Sequence, residues 1–191
     1  MASPSLLCGE QVRLAALDEA DIDIIASWYQ DGEFMRLYGP YPARPKDRAL
    51  LAEEIRVIAE DQNTFYFAVR RLVDDVLVGV ASVTEISWPQ RNGWLTIGIG
   101  EPVNRGRGFG TEAMHLLINY VFRELNFHRL QVAVLSYNAR AVALYKQLGF
   151  RREGVWREYV RRDGTWHDMV LFGLLYREWA RNNGANVDEG I

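Results

Sequence analysis

The chain holds a single cysteine, Cys8, among 191 residues, so it cannot close an internal disulfide and is not a disulfide-stapled scaffold. A lone thiol suits a reducing compartment, and the expected location is cytoplasmic. Leu6-Leu7-Cys8-Gly9 follows neither a basic segment nor a long apolar run, which argues against a lipid-modified cysteine. No apolar stretch approaches the roughly 18 residues that a membrane span needs, so no membrane partner is expected. Positive charge is not in excess either: 22 Lys and Arg stand against 25 Asp and Glu, a net charge of −3. That balance lacks the basic footprint of a phosphate-backbone binder and argues against a nucleic-acid partner, while suiting a cationic or amine ligand. The three histidines, His115, His128 and His167, show no metal-ligand spacing, and one cysteine builds no zinc site, so no metal is expected.

What the chain does have is 49% hydrophobic residues, enough for one sizeable core. The pattern predicts a single domain over 1–181 and a disordered tail over 182–191. A short strand is expected over 11–15, then a helix from Asp18 with Ile22, Ile25, Ala26 and Tyr29 on one face. Pro40, Pro42 and Pro45 punctuate a loop, and helical periodicity resumes over 49–60. Two helices thus precede three strands, over 64–69, 76–86 and 94–99. The spacing of Ala113, Leu116, Leu117, Tyr120 and Val121 predicts a long helix over 112–125. A buried strand over 129–135 leads to a helix opened by Asn138 and stopped by Gly149. Strands over 155–160 and 169–175 flank Asp163-Gly164, a hairpin signal. The class implied is mixed α/β, with helices packed on a central sheet.

Between the third strand and the long helix lies Arg105-Gly106-Arg107-Gly108-Phe109-Gly110. A helix N-terminus gathers unpaired N–H groups and the positive end of the helix dipole, and glycines let a diphosphate approach the backbone. A Walker loop would end in Gly-Lys-Ser/Thr, whereas this chain has Gly110-Thr111-Glu112. Gly108-x-Gly110-x-x-Ala113 satisfies the Rossmann fingerprint formally, but Leu135-Ser136-Tyr137 stands where its ribose-binding acid belongs. Taken alone, the hexamer could equally be a tight strand-to-helix turn.

A second cluster, Asn138-Ala139-Arg140-Ala141-Val142-Ala143-Leu144-Tyr145-Lys146-Gln147-Leu148-Gly149-Phe150, follows with one helix and one strand between. Together the two segments resemble the signatures of the GNAT N-acetyltransferases. Asn126-Phe127-His128-Arg129-Leu130 and Arg162-Asp163-Gly164-Thr165-Trp166-His167-Asp168 resemble the branch that holds ribosomal-protein N-terminal and spermidine acetyltransferases.

The resemblance implies acetyl-CoA as cosubstrate and a mostly antiparallel sheet splayed at its site, with helices on both faces. It implies that the backbone of Arg105, Gly106, Arg107, Gly108, Phe109 and Gly110, with Thr111, holds the pyrophosphate, and that Arg105 and Arg107 add charge there. Ile97, Gly98 and Ile99 would flank the pantetheine arm, with a bulge at the strand compatible with Gly98, and Asn138 would bond to the arm or cap its helix. Tyr145 would protonate the departing thiolate. Glu85, then Glu101, are the candidate bases for an amine acceptor: a protein N-terminus, a polyamine or a small amine. Tyr29, Phe34, Tyr38 and Tyr41 near Asp31 and Glu33 could wall an acidic groove for it, and Trp88 and Trp94 could border that cleft or a dimer surface. Members of the family often form homodimers. The alternative reading is a CoA-binding regulatory module without turnover.

Overall fold

The structure is a computed structural model that describes residues 6–184. In chain order, β1 (Val12–Ala15) leads to three helices, α1 (Asp21–Trp28), α2 (Gly32–Tyr38) and α3 (Arg48–Glu60). Three strands follow, β2 (Phe65–Arg71), β3 (Leu77–Ser87) and β4 (Asn92–Ile99), then α4 (Phe109–Arg123), β5 (Arg129–Leu135) and α5 (Ala139–Gln147). The long hairpin β6 (Arg151–Arg162) and β7 (Thr165–Leu175) and a closing helix, α6 (Tyr176–Asn182), complete the described chain. The seven strands form one sheet in the order β1-β2-β3-β4-β5-β7-β6.

Helices cover both faces, which is why β3 is buried almost without alternation from Leu77 to Val83. Neighbouring residues of β2 divide between two cores: Val69 packs with Val12, Leu117, Val121 and Leu130 beneath α4. Ala68 packs with Ile25, Trp28, Phe34 and Leu51 beneath α1, α2 and α3.

Every strand pair is antiparallel except β4 with β5, which run parallel and pair only through Asn92↔Arg129, Gly93↔Leu130 and Trp94↔Gln131. Beyond Trp94, β4 stays with β3 as far as Ile99↔Gly79, while β5 stays with β7 as far as Leu135↔Met169. The sheet therefore opens into a V whose vertex lies at Trp94.

Three helices, not two, precede β2. The extra one, α2, has seven residues, and the Asp31 carboxylate caps it by accepting the Glu33 N–H at 2.8 Å. Two turns are too few to show a period, so the segment reads as loop. The first helix starts at Asp21 rather than Asp18, because the two carboxylates accept each other's backbone N–H at 2.9 and 3.1 Å and form the cap between them. At the other end α6 forms over residues 176–181, inside the expected domain but without a predicted element, and reaches one residue into the expected tail. Glu178 accepts the Leu175 N–H at 3.1 Å, and Trp179 packs its ring 5.2 Å from that of Phe122. Asn182, expected to begin the tail, closes this helix, and residues 185–191 lie outside the described residues. Asp163 and Gly164 both take positive φ, +47° and +81°, as the hairpin signal requires.

Candidate active site

The connection from β4 to α4 passes through one 3-10 turn (Pro102–Asn104) and then two left-handed glycines, Gly106 at φ +77° and Gly108 at φ +89°. Gly108 is the N-cap of α4 and has no side chain to cap with. The first intrahelical bond runs from the Glu112 N–H to the Gly108 carbonyl at 3.0 Å. Among the described residues the N–H groups of Phe109, Gly110 and Thr111 have no partner, so three donors at the positive end of a 15-residue helix face one point. The Phe109 ring is 6% exposed within the core, so that residue presents only its backbone.

Arg105 departs from its expected role. Its guanidinium turns inward, donating to the carbonyls of Gly100 at 2.6 Å and Ile99 at 3.2 Å, and to Asp31 and Glu33 at 3.2 Å each. Its charge is therefore spent on α2 and not on a phosphate. Burial by itself raises the Asp31 carboxyl, but the Glu33 N–H and Arg105 outweigh it and bring its pKa below the usual range. The charges left for an anion are Arg107, exposed, and Arg140, whose guanidinium stands beside Gly106. Arg140 lay within the second motif without being singled out. Its position at the second residue of a helix running alongside the turn was the available signal.

The arms of the V and the turn enclose a cleft of about 790 Å³. Ile97, Gly98 and Ile99 form one wall, and Ala141 and Leu144 of α5 the other. Gly106, Gly108, Gly110 and Thr111 close one end, and Phe34 and Tyr38 of α2 roof it. No bulge interrupts β4 at Gly98, since its register with β3 is unbroken from Leu95 to Ile99. The irregularity lies in β3 between Thr84 and Ser87, and glycine is needed at 98 because a Cβ there would sit 2.7 Å from the Tyr38 ring. The wall opens because β4 loses β5, which frees one side of its backbone.

Asn138 caps α5, its Oδ1 accepting the Ala141 N–H at 3.1 Å, and its Nδ2 donates to the Leu37 carbonyl at 3.4 Å. Tyr137 donates its hydroxyl to the Arg36 carbonyl at 2.6 Å. With Arg105 on one side and the Arg36–Asp163 pair at 2.8 Å on the other, α2 is tied to three separate loops around the cleft. The Tyr145 ring is 5% exposed against Phe150, its hydroxyl has no protein partner among the described residues, and it stands behind the cleft lining that its neighbour Leu144 joins. Burial raises its pKa, and a charge on it is felt at Tyr38. Glu85 is exposed at the β3 irregularity with φ +50°, level with the vertex by register but off the cleft wall. Glu101 is exposed before the 3-10 turn.

Tyr29, Phe34 and Tyr38 do form a row, whereas Tyr41 stands 77% exposed and outside it. Trp88 packs edge-on against Phe65 and Phe127, away from the cleft. Cys8 is absent from the cleft wall, although the backbone N–H of Gln11 binds Glu112 in the first turn of α4 at 3.0 Å. Among the described residues no three His, Cys, Asp or Glu side chains gather as metal ligands would, and no helix is long and apolar enough to cross a membrane.

Residues 11–151 match the GNAT acetyltransferase domain family. The chain belongs to that family. It is an acetyl-CoA-dependent N-acetyltransferase of mixed α/β fold. The uncharacterized N-acetyltransferase p20 of Bacillus licheniformis is 28% identical over 90% of this chain and 96% of that protein. The ribosomal protein uS5 alanine N-acetyltransferase of Escherichia coli is 30% identical over 61% of this chain and 60% of its own length. The crystal structure of spermidine N-acetyltransferase from Vibrio cholerae, in complex with CoA and spermine, superposes with a TM-score of 0.80 at 25% identity, covering 90% of this chain and 99% of that one. The cleft's own geometry has what such a cosubstrate requires: three free N–H donors beside two left-handed glycines are groups that a diphosphate can use, and a strand edge without ladder partners offers pairing groups to an amide-bearing arm.

Proposed function

We propose that this acetyltransferase binds acetyl-CoA with the pyrophosphate on the backbone of residues 105–111 and the pantetheine arm along Ile97, Gly98 and Ile99, and acetylates a primary amine that enters from the face of α1, α2 and α3. The observation that carries the reading is the group of free N–H donors at the start of α4 beside the open edge of β4. Arg107 and Arg140 add charge for the phosphates, and Asn138 steadies the arm from α5. Acetyl-CoA supplies the activated acyl carbon as a thioester. The chain's part is to align an amine nitrogen with that carbon, to take one proton from the amine and to give one to the sulfur. A primary amine of pKa near 10 gives up its proton at pH 7 at a cost of about 4 kcal/mol. We assign that proton to Glu85, reached through solvent at the level of the vertex, and the proton on sulfur to the Tyr145 hydroxyl. The acceptors named for the relatives are an alanine of ribosomal protein uS5 and spermidine, so an alanine-starting peptide and spermidine both belong in the first panel.

The decisive experiment is a thermal-shift titration with acetyl-CoA followed by thiol release against amines and N-terminal peptides. Wild-type protein is expected to shift upward with CoA species and not with NAD or ATP. Gly108→Val forces a β-branched residue to φ near +89°, a strain of about 2 kcal/mol, and displaces the N–H donors, so acetyl-CoA affinity should fall about 30-fold. Unchanged affinity in that variant would remove the turn from the binding site.

The lone, partly buried Cys8 supports a cytoplasmic location. Exposed Trp156 and Tyr159, with rings 5.0 Å apart on the edge strand β6, support a homodimer. Sedimentation of wild type and Trp156→Asp checks it, the variant being expected to run as a monomer.

A further inference from the structure

The groove expected to use Asp31 and Glu33 has lost both to Arg105. Another carboxylate stands at the end of the aromatic row, and it already holds an ammonium. Lys46 Nζ lies 2.6 Å from Glu54 Oε2 of α3 and 4.5 Å above the centroid of the Tyr29 ring. A carboxylate beneath and an aromatic face alongside are the two groups that recognise a cationic amine. The side chains of Lys46 and Glu54 are 23% and 39% exposed, so the pair opens to solvent.

A row of aromatic rings, its middle member Phe34 buried, leads from this pair to the cleft. Tyr29 meets Phe34 edge-on at 5.8 Å, Phe34 stacks on Tyr38 at 5.2 Å, and Tyr38 lies against Gly98 in the wall of the cleft. Tyr66 of β2 packs, like Tyr29 and Tyr38, on the core cluster beneath α1, α2 and α3. An extended alkyl chain laid along this row would carry its reacting nitrogen at one end and reach Glu54 at the other.

We propose that Glu54 determines acceptor specificity by binding a second, distal cationic group of the amine substrate, which displaces Lys46. This rests on the acetylation of a primary amine in the adjoining cleft. Lys46 acts as an internal competitor: the Glu54 site is free for only a fraction of the time, and the apparent affinity of a dication is reduced by that fraction. A monoamine whose one nitrogen sits in the cleft has no second ammonium for Glu54, so the pair selects against it as an acceptor.

The test uses the full-length protein loaded with CoA, titrated calorimetrically with 1,8-diaminooctane and 1-aminooctane, which differ only in the second ammonium. Wild type is expected to bind the diamine about tenfold more tightly than the monoamine, the worth of one charged hydrogen bond. Glu54→Gln should abolish that preference, and Lys46→Met should tighten the diamine several-fold, on the order of what the competitor withholds. Equal binding of the two amines by wild type, or a preference that survives Glu54→Gln, overturns the proposal, as does failure of Lys46→Met to tighten the diamine. Thiol release measured in parallel separates the two layers. Glu54-dependent binding without acetyl transfer would sink the amine-acetylation reading alone, and transfer indifferent to Glu54 would sink the specificity role alone. Both side chains are partly exposed, and an unchanged Tm in each variant verifies folding.

Discussion

Tyr145→Phe should lower kcat for acetyl transfer about 100-fold while leaving acetyl-CoA affinity within about twofold of wild type. The substitution removes one oxygen from a ring that stays packed on Phe150, so the fold has no reason to change. General acids contribute roughly 10²- to 10⁴-fold, and the lower end applies because a thiolate of pKa near 8.5 is already a fair leaving group. Burial raises the Tyr145 pKa from its ordinary value of 10, so the phenol stays loaded with its proton through neutral and mildly alkaline solution. The sign of the pH dependence follows. In wild type, kcat/KM should climb as the amine loses its proton and show no fall below about pH 10, because the acid is still protonated there. Pre-steady-state thiol release with a good amine acceptor gives the chemical step directly. A Phe variant as fast as wild type would leave Tyr145 a core aromatic and pass the acid to Tyr38, whose ring lies in the cleft wall.

The parts of this site that were legible in the sequence are those set by local backbone chemistry. Gly106 and Gly108 adopt positive φ where few other residues can, so their spacing before an amphipathic run already describes the turn. Asn138 caps α5 and Gly149 leaves it at φ +90°, as short-range signals alone indicated. Side-chain destinations set by distant partners could not be read. Arg105 looked like a phosphate ligand because charge reveals nothing of direction, and its partners Asp31 and Glu33 lie 74 and 72 residues away. The same holds for Glu54, an unremarked residue of a charged helix face until Tyr29 and Lys46 are brought to it from another segment. The glycine at 98 was legible as a special position, but its cause, the ring of Tyr38, belongs to α2, a helix too short to announce itself.

The same three-helix face is anchored by the most buried ion pair among the described residues, and its loss should cost more stability than the loss of any other such pair. Asp21 is 1% exposed and Arg70 9% exposed, and Arg70 Nη2 lies 2.7 Å from Asp21 Oδ2 and 2.7 Å from Asp18 Oδ2. The Asp21 carboxylate also accepts the Asp18 N–H, so it starts α1 and fastens it to β2 in one contact. Asp21→Ala strands a guanidinium in the interior, where removing one partner of a buried pair typically costs 3–5 kcal/mol. Asp18 remains as a partner but is 59% exposed and screened, so the lower figure, about 3 kcal/mol, is expected. For a chain of this length that corresponds to a Tm lower by about 6–12 °C. Removing both charges tests the cause: Asp21→Leu with Arg70→Met should recover most of the loss, because no uncompensated ion is left behind. Recovery would show that the pair's chief contribution is to avoid a buried lone charge. A double variant as unstable as Asp21→Ala would instead trace the loss to the α1 cap, and through α1 and α2 to the roof of the acyl cleft.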